Sequence, residues 1–201
     1  MASNDQDSDG IIGSSTAGEY GVNDATSEAI FDVHSFLKEM DESLDKDVDH
    51  MKQFKKMVES LKEDQINLHT NDFTSETALH IAVRRGLVQA TTILLTAEAS
   101  VAEEDYMQCQ PLHRACEIGN GPIVESLLKM GADIEALDCD KWTPLRWSAS
   151  GGHMQVVELL LRSNANILAA DDDGHTPFHV AADNGHTEMI EKFLQKNGSI
   201  L

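Results

Sequence analysis

The sequence is poor in cysteine and in long apolar runs, and each shortage excludes a class of protein. Three cysteines among 201 residues are an odd number in a long chain, so they do not make a disulfide framework, and a reducing compartment is expected. Apolar runs are only a few residues long, too short for a membrane-spanning helix. Residues 1–10 are acidic and polar, unlike a secretory signal or a transit peptide. We therefore expect a cytoplasmic and/or nuclear protein without membrane insertion.

Positive charge is also scarce. The chain has 15 Lys+Arg against 35 Asp+Glu, for a formal net charge of −20. Direct nucleic-acid binding needs a lysine- and arginine-rich face that displaces counterions, so this composition argues against it. Hydrophobic residues make up 41% of the chain, which is enough for the core of one ordinary domain or of a small domain with extensions.

Four stretches of the sequence recur at a fixed spacing of 33 residues. They begin at Thr77-Ala78-Leu79-His80, Gln110-Pro111-Leu112-His113, Thr143-Pro144-Leu145-Arg146 and Thr176-Pro177-Phe178-His179. An aspartate series (Asp72, Asp105, Asp138, Asp171) and a glycine series (Gly86, Gly119, Gly152, Gly185) keep the same step. Independent series in one register indicate a repeat architecture.

Each position in the repeat suits one part of a helical pair. Thr before Pro is typical of a helix start, because the hydroxyl caps free amides and Pro tolerates the first helical position. The glycine suits the left-handed end of that helix. A second helix follows, such as residues 154–162, with its apolar side chains on one face. Ala90-Thr91 stands where later repeats have valine or isoleucine, which predicts a looser second helix in the first repeat.

The signature Thr-Pro-Leu-His at this spacing resembles the ankyrin repeat family. The resemblance covers residues 72–201 and divides them into units 72–104, 105–137, 138–170 and 171–201. It implies an all-α solenoid of four helix-turn-helix-loop units in which stacking buries the shared apolar face. It also implies that His80, His113 and His179 make structural hydrogen bonds to the loops, whereas Arg146 replaces the fourth histidine.

The residues before the repeats divide into two segments. Residues 1–26 have few apolar side chains and are predicted to be a disordered acidic tail. Residues 27–71 carry apolar side chains at steps of three and four, which is helical periodicity. We favour a helical hairpin that breaks near residues 43–49 and caps the end of the solenoid. In the alternative, residues 28–64 form one long helix that dimerises as a coiled coil.

Residues with catalytic or metal-binding chemistry are scattered through the chain. Histidines that lie one repeat apart cannot close around one ion. Residues 171–174 depart from a calcium loop, which alternates its ligands and ends in glutamate. Cys109, Cys116 and Cys139 lack C-x-x-C spacing; Cys116 is expected in the core, and the other two as exposed loop thiols. We predict no catalytic residue, cofactor or metal.

Recognition of another protein is the function that the resemblance implies. In proteins that this chain resembles, loop tips and first helices line a concave face that binds partners. The corresponding candidates here are Phe73, Glu76, Arg84, Arg85, Tyr106, Met107, Ile118, Asp140, Trp142, Arg146, Trp147, Asp172, Asp173, His175 and Asp183. Three of the ten aromatic residues fall on these loop tips, and rigid aromatic anchors are typical of protein interfaces.

The charge of these candidates runs from Arg84-Arg85 at one end to Asp172, Asp173 and Asp183 at the other. A protein partner with an apolar centre and a basic patch would complement it. Our leading hypothesis is a non-catalytic adaptor, scaffold or regulatory subunit. The alternative is the regulatory or targeting part of a larger enzyme, channel or transcription regulator, motivated by a final repeat that looks like an interior one. A homodimer is the less favoured assembly.

Overall fold

The computed structural model describes residues 24–62 and 65–198, and the regular structure of these residues is helical apart from one isolated bridge between His69 and Thr77. The helices are α1 (Asp24–Glu39), α2 (Glu42–Asp45), α3 (Val48–Ser60), α4 (Ala78–Arg84), α5 (Val88–Thr96), α6 (Pro111–Ile118), α7 (Gly121–Lys129), α8 (Pro144–Ser150), α9 (Met154–Arg162), α10 (Pro177–Asp183) and α11 (Thr187–Gly198). Within these residues no helix is both long and apolar enough to cross a membrane.

The segment before the repeats forms two separate longer helices, α1 and α3, with the short α2 between them. Asp41 and Asp47 cap α2 and α3 through bonds from backbone amides, so the chain stops and restarts twice. The single helix required by the coiled-coil alternative is therefore not what residues 24–62 form. The predicted acidic tail lies outside the described residues up to residue 23, and residues 24–26, assigned to it, belong to α1.

The helices lie in two layers. Helices of the inner layer pack against one another in the order α1, α4, α6, α8 and α10. Helices of the outer layer pack against one another in the order α3, α5, α7 and α9. Each inner helix of a repeat also packs against the outer helix that follows it, and α11 packs against α10. The helices α1 and α3 extend this arrangement to the first repeat.

The core runs between the two layers as one continuous cluster. Many of its members come from equivalent positions of successive repeats, such as Leu79, Leu112 and Leu145 in the inner layer and Leu94, Leu127 and Leu160 in the outer layer, all at most 1% exposed. Burying each such side chain contributes about 1.5–3 kcal/mol. Phe54 and Leu37 bring α3 and α1 into the same cluster.

The glycine series ends each inner helix in the predicted left-handed conformation, with φ between 70° and 73°. At Gly119 a second reason for glycine is visible, because an added Cβ would collide with the ring of His153. That ring donates from Nε2 to the Glu117 carbonyl oxygen at 2.8 Å, across the repeat boundary. Glycine here thus allows both the turn and the close approach of the next repeat.

Candidate functional site

The repeated aspartate of each unit builds the loop that follows it. One carboxylate oxygen accepts hydrogen bonds from the amides two and four residues later, at 2.7–3.1 Å, in the loops of Asp105, Asp138 and Asp171. Asp72 makes the shorter version, accepting from the Thr74 amide and from the hydroxyls of Thr70 and Thr74. These bonds satisfy backbone donors in a tight loop and fix its shape.

The second oxygen of each aspartate joins the loop to a helix. Arg114 donates to Asp105 at 2.6 Å, the indole nitrogen of Trp147 donates to Asp138 at 2.8 Å, and Arg146 pairs with Asp171. In the first loop the partner is Lys38 of α1, at 3.0 Å from Asp72. The loops are therefore rigidly attached to the inner layer.

The same contacts hold these carboxylates in their charged form. The Arg146 guanidinium, together with loop amides, lowers the pKa of Asp171 to about 2. The hydroxyls of Thr74 and Thr70, followed by Lys38, hold the pKa of Asp72 well below its usual range.

The inner-layer histidines link one repeat to the next. His80 accepts at Nδ1 from the Thr77 amide, so Nε2 carries the proton and donates to the Cys109 carbonyl oxygen at 2.9 Å. His113 repeats this geometry with donations to the carbonyl oxygens of Ala136 and Trp142. Burial lowers the pKa of both histidines, which keeps them neutral. The structural role implied for these residues is thus the one their geometry shows.

Arg146 makes the equivalent link in the third repeat. Its guanidinium lies 3.4 Å from the His175 carbonyl oxygen, the position that matches Trp142 one repeat earlier and Cys109 two repeats earlier, and it also pairs with Asp171. It stacks over the Trp142 ring at 4.1 Å, and only 6% of the residue is exposed.

Two of the expected partner-binding residues are buried. Arg146 faces the loop that follows it, and Glu76, 3% exposed, is bound by Arg84 at 2.6 Å. Both side chains hold loops that carry exposed residues.

The exposed candidates lie on a continuous strip of loop tips. We define the loop-tip strip as residues 73–74, 106–107 and 139–140. The Tyr106 amide donates to the Thr74 carbonyl oxygen at 3.1 Å, and the Cys139 amide donates to the Met107 carbonyl oxygen at 3.0 Å, so adjacent tips are joined through the backbone. Phe73 is 85% exposed and Tyr106 58% exposed.

The two tryptophans lie behind this strip. Trp142 and Trp147 are half-buried, with ring centroids 5.3 Å apart, and Arg114 lies over Trp147 at 5.8 Å. The two adjacent rings therefore lie between two arginines, and a cation–π contact stabilises each ring. Met107 and Ile118 are also half-buried.

Charged candidates lie in the first repeat and in the later repeats. Arg84 keeps part of its side chain exposed, whereas Arg85 donates to the Met40 carbonyl oxygen at the end of α1. At the other end the acidic and imidazole side chains are exposed: Asp140, Asp172, Asp173, His175 and Asp183. Among the described residues, no backbone bond of the kind that joins the first three tips connects the last loop.

One acid–histidine group has ligand atoms close together. Atoms of Asp171, Asp173 and His175 lie within 4.8 Å of one another. Asp171, however, already accepts from two loop amides with one oxygen and pairs with the Arg146 guanidinium with the other. The positive guanidinium disfavours a cation at this place, so the cluster is a loop-building one.

The cysteines differ from the expectation at one position. Cys109 is fully buried, not exposed, because its loop folds inward beneath the aspartate bonds, and burial raises the pKa of its thiol. Cys116 is buried as expected, and Cys139 is exposed. The buried thiols are poor nucleophiles, since the thiolate is the reactive form.

The repeat geometry agrees with a comparison of the sequence with known families. Residues 49–138 and 120–200 match the family described as ankyrin repeats (3 copies). This chain belongs to the ankyrin repeat family. The match begins within α3, so it also includes a helix that precedes the first Thr-Ala-Leu-His stretch. No curated protein matches the chain in sequence.

Ankyrin repeats are generally protein–protein interaction modules. Membership in the family therefore places recognition of another protein first among the functions of this chain. It leaves open which face binds, and that question depends on the chain's own side chains.

Sequence reasoning missed several residues that shape this ankyrin surface. Arg114 is one of them, because the aspartate series does not show which donor pairs with Asp105. His153 and His186 donate to the carbonyl oxygens of Glu117 and Ser150, and their 33-residue spacing was a signal for a second ladder between repeats. Asp45, which caps α5 from the preceding segment, has no counterpart in the repeat pattern.

Proposed function

We propose that this ankyrin protein is a non-catalytic adaptor that binds a partner protein through the loop-tip strip and the adjoining inner helices. The observation that supports it best is the pair of exposed aromatic side chains, Phe73 and Tyr106, on neighbouring tips joined by a backbone hydrogen bond. When a partner covers exposed aromatic side chains, their apolar surface is removed from water, and this favours binding.

Rigidity strengthens the case for this surface. Binding costs free energy when loops become ordered, and loops that are already fixed avoid much of that cost. Asp105 fixes the second tip through two amides, and Arg114 fixes Asp105 to α6. A partner therefore meets a pre-organised strip.

The partner's chemistry follows from the exposed groups. Phe73 and Tyr106 favour an apolar or aromatic patch opposite the first two tips. Asp140, Asp172 and Asp173 favour lysine and arginine opposite the later repeats. Opposite charges across the rim raise the association rate more than the final affinity, so association is expected to slow as salt increases.

The proposal is tested with Phe73→Ala/Tyr106→Ala in the full chain. Trp142, although a loop-tip aromatic, is unsuitable because it packs on Arg146 and Trp147. Proteins captured from lysate are identified by mass spectrometry, and the affinity of the recovered partner is then measured by calorimetry. We expect the double variant to lose that partner while its circular dichroism stays unchanged.

Met130→Ala/Leu168→Ala is the matched control, because it removes two exposed apolar side chains outside the strip. It should bind the partner with wild-type affinity. If the control loses the partner and the Phe73/Tyr106 variant keeps it, the binding face has been assigned to the wrong side.

A further inference from the structure

A second surface lies on the outer layer, away from the loop-tip strip. A groove of about 470 Å³ is bounded by α2, α3 and α5. Its apolar part consists of Val48, Met51 and Ile93, of which Val48 is 66% exposed. Apolar side chains gathered in a concave place favour an occupant that shields them from water.

The wall of this groove is fixed by a buried carboxylate. Asp45, at the end of α2, accepts from the Gln89 and Ala90 amides at 2.8 Å each, and it is 4% exposed. These bonds cap the first turn of α5 and hold α2 against it. Because both carboxylate oxygens of Asp45 accept from these amides, the carboxylate is directed to α5 and not to the groove.

The rim of the groove is basic. Lys46, Lys52 and Lys55 line it in a chain of net charge −20. Lys52 pairs with Asp49 at 3.2 Å and Lys55 with Glu59 at 3.7 Å, but all four side chains are more than half exposed. Exposed pairs of this kind contribute little to stability, so these lysines can exchange partners.

We propose that residues 5–12 of this chain dock in the groove. This segment, which lies outside the described residues, has Asp5, Asp7 and Asp9 followed, after Gly10, by Ile11-Ile12. Its acids match the lysine rim, and its isoleucines match the apolar floor. The first 23 residues contain no lysine or arginine, so nothing in them opposes this attraction.

The chain between Ile12 and the start of α1 is long enough for residues 5–12 to reach the groove. The helix α1 has 16 residues and is therefore about 24 Å long, and its far end adjoins α2 at the groove. Twelve residues from Ile12 to Asp24 span up to about 40 Å when extended. Tethering raises the effective concentration of the segment to the order of mM, so a weak contact suffices to occupy the groove.

The experiment uses the full chain with a spin label at Ser8→Cys in a Cys139→Ser background. Cys109 and Cys116 are buried and stay unlabelled. We expect paramagnetic broadening of the Met51 and Ile93 methyl signals, whereas the Ile190 methyls of α11, three repeats away from α5, keep their intensity. Lys52→Glu/Lys55→Glu should abolish the broadening, and so should high salt.

Lys129→Glu/Lys141→Glu is the matched control, since both lysines are exposed and lie outside the groove. It should leave the broadening intact. Unbroadened groove methyls in the labelled chain, or broadening that persists in Lys52→Glu/Lys55→Glu, would overturn the proposal. Equal broadening in a mixture of spin-labelled chains with separate isotope-labelled chains would assign the groove to a second copy and would also overturn it.

Discussion

A single aspartate per repeat does two structural tasks at the residue scale. One oxygen organises the loop, and the other accepts from a donor on an inner helix, as Asp138 does with Trp147. Carboxylates suit this place because both of their oxygens accept. The histidine or arginine of the same inner layer bonds to the following loop, so the loops and the stacked helices share one hydrogen-bond network.

Arg146 is the most informative member of that network to alter. Arg146→Ala leaves Asp171 without its cation and removes the link to the His175 carbonyl, which should cost about 3 kcal/mol of unfolding free energy. Arg146→His restores a donor of the kind that His80 uses and should cost less. Urea titrations measure both, and the order wild type, Arg146→His, Arg146→Ala is expected.

The tryptophans give that experiment a local readout. The chain has two, Trp142 and Trp147, and both pack in the cluster around Arg146. Their emission in the folded Arg146→Ala variant should shift to longer wavelength as water enters. Unchanged emission and an unchanged urea midpoint would show that the stacked guanidinium contributes nothing.

A backbone prediction belongs to the same scale. Ser75, Gln108, Lys141 and Gly174 occupy the equivalent loop position, and all four have left-handed φ between 48° and 80°. A side chain disfavours that conformation, so Lys141→Gly should stabilise the fold by about 0.5–1 kcal/mol in thermal unfolding. Lys141→Ala keeps the Cβ and should give no gain. An equal gain from alanine would point to the lost charge instead of the backbone.

At the scale of elements, α5 depends on a residue far away in the sequence. Its own N-cap, Leu87, offers no side-chain acceptor, and Asp45 supplies both bonds from α2. Although Ala90 and Thr91 are small, α5 is nine residues long, the same length as α7 and α9. The segment before the repeats therefore supplies the N-terminal cap of α5, and it also packs against both helices of the first repeat.

Asp45→Ala tests this cap. Two amides at the start of α5 would lose their acceptor, and we expect a loss of about 1–2 kcal/mol in unfolding free energy. Hydrogen exchange should show faster exchange at Gln89 and Ala90. Asp49→Ala, at a side chain 91% exposed, is the control and should change stability by less than about 0.5 kcal/mol. Equal losses from both variants would exclude a specific cap.

At the scale of the whole molecule, the sequence predicts the helices well and the surface less well. The 33-residue series locates each inner helix and its terminal glycine, because those positions depend on local backbone geometry. It does not reveal that Arg146 and Cys109 point inward, since that depends on the next loop. Nor does it reveal the Asp45 cap, because Asp45 accepts from the Gln89 and Ala90 amides, which lie more than 40 positions later in the sequence.

The pKa shifts act together on the stability of the whole fold. Burial lowers the pKa of His34 in α1 from 6.5 to about 4, so the unfolded chain binds this proton first and stability falls as pH decreases between those values. Asp171, with a pKa lowered to about 2, stabilises the fold above 3.8 and loses that effect as pH decreases through 2. Acid is therefore destabilising in two successive windows.

His34→Gln tests the contribution of His34 to the upper window. The ionisable groups that face His34 are Lys38 on its own helix, His69 shortly before the first repeat, and Asp72 and Glu76 in that repeat, and burial outweighs them. Wild type should lose about 2 kcal/mol of unfolding free energy through His34 between pH 7 and pH 5, measured by urea titration. His34→Gln should show a smaller loss over the same range, because the group that takes up the proton on unfolding is gone. If wild type and His34→Gln lose stability in parallel, the interface between α1 and the first repeat does not set the acid limit of this fold.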